Sequence, residues 1–349
     1  MFDSVPGFFS AVGTALDGSV MQSGALWALR NIPGFPPVIQ TVHILGIALV
    51  MATLVLMNLR ILGLAAGQQS TGELSARVRP LFWLALSSNF VSGAFFVFGR
   101  PLRYFNNPVF AWKMALLLPV LLLAVLYWHF DKREPGYWRG TGSRVITSRL
   151  MALVSLCLIL LVATAGRWIA YLEYIQYPLW SYEPYFGGEE FTFWVGVENW
   201  SLSQIIAATN WFPTLETIHV IAATLMLGSI FWVDLRLLGM AATSYPVSVL
   251  SRAHIPWTWG CFAVAVFSGL GMFITRASSH IENPAFIWKA ALLGAAGLNM
   301  AYFHFRTDRQ RIHWDTSIKM PVSTRLAGAL SLLFWSGVML AGRWIGHIV

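Results

Sequence analysis

Charge is what this chain of 349 residues has least of: only 11% of its residues are Asp, Glu, Lys or Arg, against about 25% in ordinary soluble domains. So small a polar inventory cannot cover a surface facing water. With 57% hydrophobic residues, the chain needs lipid to solvate part of it. Cysteine is nearly absent as well. Cys157 and Cys261 lie inside apolar stretches without Cys-x-x-Cys spacing, so they form no metal site and do not report on redox compartment. The sequence has no nucleophile elbow, no phosphate loop and no pair of carboxylates within an apolar run. No basic n-region precedes the first apolar residues, and no cleaved signal peptide is expected. The formal charge of +8 is scattered between apolar stretches rather than gathered in a patch, which speaks against nucleic acid as a partner.

Long apolar runs are abundant. A helix needs about 20 predominantly apolar residues to cross the hydrocarbon core. Eight stretches meet that length: 37–58, 80–99, 108–130, 149–172, 213–234, 256–275, 284–304 and 325–347. The expected fold is therefore all-α, a polytopic membrane protein of eight spans with the lipid bilayer as its principal partner.

The last four spans repeat the first four. The run from Thr41, TVHILGIALVMATLVLMNLRILGLAA, pairs with TIHVIAATLMLGSIFWVDLRLLGMAA from Thr217. NPVFAWKMALL from Asn107 pairs with NPAFIWKAALL from Asn283, and AGRWI recurs at Ala165 and Ala341. The offset is 176 residues in each case (43 to 219, 107 to 283, 167 to 343). Compositional bias does not hold register over four helices. Four spans return the chain to its starting side, so the halves are expected to be parallel repeats in the same orientation. The domain reading is an N-terminal interfacial segment (1–36), a first repeat (37–172), a linker with an interfacial helix (173–212) and a second repeat (213–349).

The loops at 58–79, 130–149, 234–254 and 305–325 carry 15 of the 23 Lys and Arg residues. By the positive-inside rule that face is cytoplasmic, which puts both termini and the linker on the outer, periplasmic side.

Ionisable groups inside spans cost on the order of 2.5–3.5 kcal/mol each even on a lenient scale, so those present twice in register are the functional candidates. At the outer end of each unit stand His43 and His219, Arg100 and Arg276, Asn107 and Asn283, Lys113 and Lys289, and Arg167 and Arg343. A second set lies at the other end: Arg60, His129 and Arg149, matched by Arg236, His304 and Arg325. His304 follows His129 by 175 residues rather than 176, and Asp234 replaces Asn58. At about 1.5 Å rise per residue, His43 and His129 stand roughly 25 Å apart along the membrane normal. One iron cannot take both, so shared ligation would pair His43 with His219 and His129 with His304, at the interface of the repeats.

These groups match what haem b requires, namely imidazoles in an apolar bundle and cations for the propionates. The expectation is a haem-binding electron-transfer protein, with His43 and His219 as metal ligands and the Arg, Lys and Asn residues in support. Its partner would be a membrane or periplasmic redox protein. Transport of an anion or a lipid-like substrate is the alternative, although no matched Gly/Pro break stands out in mid-span. Ser92-Gly93 and Ser268-Gly269 read as helix-packing contacts. A structural subunit docking through the aromatic, acidic linker is a third possibility. For His129 and His304, imidazoles at headgroup level, the plain reading needs no cofactor.

The early histidine, DLRLLG, NPAF..K and GRWI together resemble a group of small bacterial inner-membrane proteins of unknown function. These are usually one four-helix unit long, whereas here the unit occurs twice. The resemblance implies a bacterial cytoplasmic membrane and no established activity. At the level of fold, the bundle is also similar to b561-type membrane cytochromes and copper-resistance membrane proteins.

Overall fold

A computed structural model describes residues 7–65, 70–134, 136–139, 141–175, 193–243, 245–307, 313–317 and 319–347. Regular structure among these residues is helical throughout. The chain divides into two compact units, Met1–Tyr185 and Phe186–Val349. Most of the aromatic, acidic linker lies outside the described residues.

The first unit opens with two short helices, α1 (Gly7–Leu16) and α2 (Val20–Asn31). The long helices α3 (Phe35–Leu62) and α4 (Thr71–Gly99) follow, then the five-residue α5 (Pro101–Phe105), α6 (Pro108–Arg133) and α7 (Gly142–Ile175). In the second unit, α8 (Phe193–Glu198) and α9 (Ser201–Ala208) lead into α10 (Trp211–Leu237) and α11 (Val247–Phe273). The six-residue α12 (Ala277–Glu282), α13 (Pro284–Tyr302) and α14 (Val322–Trp344) complete it. Eight of these helices are long and apolar enough to cross a membrane, and they coincide with the eight predicted runs.

Within the first unit α3 packs on α4 and α7, and α6 packs on α7. Within the second, α10 packs on α11 and α14, and α13 packs on α14. The central helices are α3 and α10, with 56% of each apolar window buried against 6–22% for the other spans. Outward-facing positions are apolar: Phe267 is 75% exposed and Leu298 74%. A surface of that kind is solvated by hydrocarbon rather than by water.

The helices overrun the apolar runs at several ends. α4 begins nine residues before Pro80, at a capping box in which Ser70 and Glu73 satisfy each other's backbone N–H. α11 likewise begins ahead of Pro256. These matched prolines (80 and 256, again 176 apart) were expected at span starts, and they lie instead inside helices. A lipid-length count stops where apolar residues stop, whereas a helix ends only where its backbone bonds do. Beyond α13 the chain makes a π turn, Phe303–Thr307, which contains His304. The one-residue slip in histidine spacing falls at this wider turn.

Candidate functional site

Each unit gathers a polar cluster at the end where its first and third long helices begin and its second and fourth finish. In the first unit the site is built on the half-buried His43 of α3. Its Nδ1 lies 2.9 Å from Ser92 Oγ on α4, with the Asn89 carbonyl close by. The Ser92 hydroxyl already donates to the Ser88 carbonyl at 2.7 Å. Its oxygen can then only accept from the ring, so Nδ1 carries the proton and the lone pair stands on Nε2.

His219 of α10 reaches the same state by a different bond. Its Nδ1 donates to the Ala265 carbonyl at 2.8 Å, and a carbonyl has no proton to give. Ser268 Oγ lies 3.3 Å away and donates to the Val264 carbonyl at 2.7 Å. In neither histidine does Nε2 hydrogen-bond to any described residue. Two imidazoles held through Nδ1–H, each presenting a bare Nε2, have the second-shell arrangement of a metal-binding histidine.

Glycine makes room for both rings. A Cβ at Gly93 would stand 3.3 Å from His43 Cε1, and one at Gly269 would stand 3.1 Å from His219 Cε1. The Ser-Gly pairs are thus more than helix-packing contacts: the serine lies against the imidazole nitrogen and the glycine against its edge. Phe96 meets the His43 ring edge-on at 6.4 Å.

The third and fourth long helices add a cation. Lys113 of α6 lies over Gly166 of α7, where a Cβ would come within 3.5 Å of Nζ, and Lys289 of α13 lies over Gly342 of α14, at 3.8 Å. The two lysines are near enough to act electrostatically on His43 and His219, respectively. Neither forms a hydrogen bond or an ion pair with any described residue. All four long helices of each unit therefore contribute: histidine, Ser-Gly seat, lysine, glycine.

Asn107 and Asn283 have a different occupation. Asn107 Oδ1 accepts from the Val109 and Phe110 amides as the N-cap of α6, while its Nδ2 donates to the Ile169 carbonyl of α7 at 3.0 Å. Asn283 accepts from the Ala285 amide and donates to the Ile345 carbonyl beyond α14 at 3.2 Å. These side chains start the third helix and bind it to the fourth, which places the lysine over its glycine.

The arginines spread outward from this level. Arg167 follows Gly166 directly, donates to Tyr171 Oη at 3.3 Å and lies over its ring. Arg343 is half-buried beside Gly342. Arg100 and Arg276 are exposed at the joints into α5 and α12. His129, late in α6, and His304, in the π turn, are exposed at the opposite end of their units. Within each unit the structure thus brings histidine and lysine together, His43 with Lys113 and His219 with Lys289, and places His129 and His304 at the other end.

Sequence reasoning missed Ser92, Gly93, Gly166 and their counterparts as site residues. The 176-residue register could have found them, since each recurs unchanged. Among the described residues no group of three or more His, Cys, Asp and Glu forms a protein-only metal site. An imidazole here would serve a metal whose remaining ligands come from elsewhere.

Residues 206–348, within the second unit, match a Family of unknown function (DUF6644). No curated protein matches the chain, and neither does any solved structure.

Proposed function

We propose that the chain is an integral membrane haem-b-binding redox protein in which the imidazoles of His43 and His219 would hold the iron through Nε2. The observation that carries this reading is the tautomer. Partners that can only accept hold Nδ1–H in both units, which leaves the ligating nitrogen bare twice over. When bound, haem supplies a one-electron iron couple. The protein's part is to fix the imidazoles through Ser92 and the Ala265 carbonyl. Lys113 and Lys289 would then meet the propionate charge, with Arg167, Arg343, Arg100 and Arg276 nearer the surface. The asymmetric distribution of Lys and Arg supports an orientation with both termini on the non-cytoplasmic side, and electrons would pass to a membrane or periplasmic partner.

The unpartnered lysines favour a second reading, in which Lys113 and Lys289 hold an anion or a lipid headgroup in transit. Under that reading the bare Nε2, which has no proton to donate to an anion, goes unused. Visible spectra of the detergent-purified protein separate the two. The haem reading predicts a Soret band and a reduced α-band, weakened or lost in His43→Ala and in His219→Ala. A colourless protein with intact helical circular dichroism contradicts haem and leaves the anion reading, which is tested by flux into liposomes with Lys113→Met and Lys289→Met.

A further inference from the structure

The two units differ at one buried position that the haem reading does not use. Late in α3, Asn58 is 7% exposed and donates from Nδ2 to Ser155 Oγ of α7 at 2.9 Å. The matching residues, 176 positions on, are Asp234 of α10 and Ser331 of α14. Asp234 is 5% exposed. Ser331 is the polar side chain facing its carboxyl, and Oδ2 is fully enclosed without a hydrogen-bond partner. The helices approach closely here, since a Cβ on Gly328 of α14 would stand 3.1 Å from the Asp234 carbonyl oxygen.

Among the described residues no cation pairs with this carboxyl. Arg236, two residues on, turns away: its Nε donates to the Tyr245 carbonyl at 2.8 Å and its Nη2 to the Ser317 carbonyl at 3.2 Å. From α14, Arg325 is exposed. From α11, His254 is buried, but Asp234 makes no ion pair with it or with any other described residue. An ionised carboxylate in such a place would keep its full desolvation penalty, whereas a neutral carboxylic acid is the near-isostere of the amide that the first unit uses.

We infer that Asp234 is a proton-binding site inside the second unit, its carboxyl held as the neutral acid in the position that Asn58 fills in the first. The added proton bonds to one carboxyl oxygen, and the O–H takes the donor role toward Ser331 that the Asn58 amide plays toward Ser155. The proton comes from and returns to solvent beyond the end of α10, which closes at Leu237. The second unit then carries an exchangeable proton within the bilayer that the first has no group to hold. Such a site lets charge change elsewhere in the unit without a resident counter-ion.

Infrared difference spectra of the protein in vesicles, recorded in H2O and D2O, test this directly. The wild type minus Asp234→Asn spectrum should show one carboxylic-acid C=O band that shifts to lower frequency in D2O. Asn58→Asp should add a second band of the same kind from the first unit. A carboxylate band in place of the acid band in the Asp234→Asn difference would overturn the proposal. If Asp234→Asn fails to insert, the Asn58→Asp chain decides alone: an added acid band supports the inference and an added carboxylate band refutes it. Haem content does not enter either reading.

Discussion

The two ends of each four-helix unit differ in how closely the halves agree. Where α3 and α6 begin, the first unit has histidine, Ser-Gly, asparagine, lysine and glycine, and the second has the same residues 176 positions later with corresponding contacts. At the other end the halves part. Asp234 stands at the position that Asn58 holds in the first unit, Arg60 is half-buried while Arg236 is completely buried, and α6 runs on through His129 where α13 gives way to a π turn. A cluster built by four helices tolerates little independent change, because each histidine and each lysine sits in space left by a glycine on another helix. The opposite end rests on separate contacts, Asn58 to Ser155 between helices and Arg236 to the Tyr245 and Ser317 carbonyls of loops, and can vary one residue at a time.

Even the matching end is not identical, and that difference can be used. His43 has Ser92 at 2.9 Å with the Asn89 carbonyl close by, whereas His219 has the Ala265 carbonyl at 2.8 Å and its serine only at 3.3 Å. Ser92→Ala should therefore weaken haem retention by about 10- to 100-fold, the usual cost of losing an outer-shell partner. Ser268→Ala should cost clearly less. Haem titration of the two variants measures this, and equal losses would show that the serines do not orient the rings.

Glycine substitutions come next in size. Gly93→Ala and Gly269→Ala each push a methyl against an imidazole, with an expected cost of about 1–3 kcal/mol. Position 269 should suffer more, since its clearance is 3.1 Å against 3.3 Å. Thermal melts in detergent would report both, and two unaffected melts would mean that the rings are not confined as described.

The smallest effects belong to the asparagines. Asn107→Ala and Asn283→Ala each remove a cap, worth about 0.5–2 kcal/mol, together with a bond to the fourth helix. Each loss should lower the melting temperature in detergent, and unchanged melts in both variants would show that the caps do not hold the third helix to the fourth. A larger effect on haem content than on stability would instead give the amides a part in binding.

Much of this was legible in the chain itself. Spans follow from apolar length, because lipid imposes a minimum that soluble helices do not meet. The duplication follows from register, and the histidines and lysines from the cost of placing them in lipid. The seats were not legible. Whether Gly93 faces His43, 50 positions earlier, or Gly166 faces Lys113, depends on how two helices are rotated against each other, and an apolar run does not encode rotation. Asp234 was visible as a departure from Asn58, but its lack of a counter-ion depends on where Arg236 points. The prolines at 80 and 256 misled as apparent span starts, because the turns before them are held in helix by polar contacts, the Ser70–Glu73 capping box in α4 and the Ser248 bonds to Asp315 in α11.

The central claim concerns which ring nitrogen carries the proton, and nitrogen NMR of ¹⁵N-histidine-labelled, haem-free protein reads it directly. His43→Gln and His219→Gln assign the two signals. Both should show a protonated Nδ1 and an unprotonated Nε2, the minority tautomer of free histidine. Signals with the proton on Nε2 would contradict the account, since the nitrogen offered to iron would already be occupied.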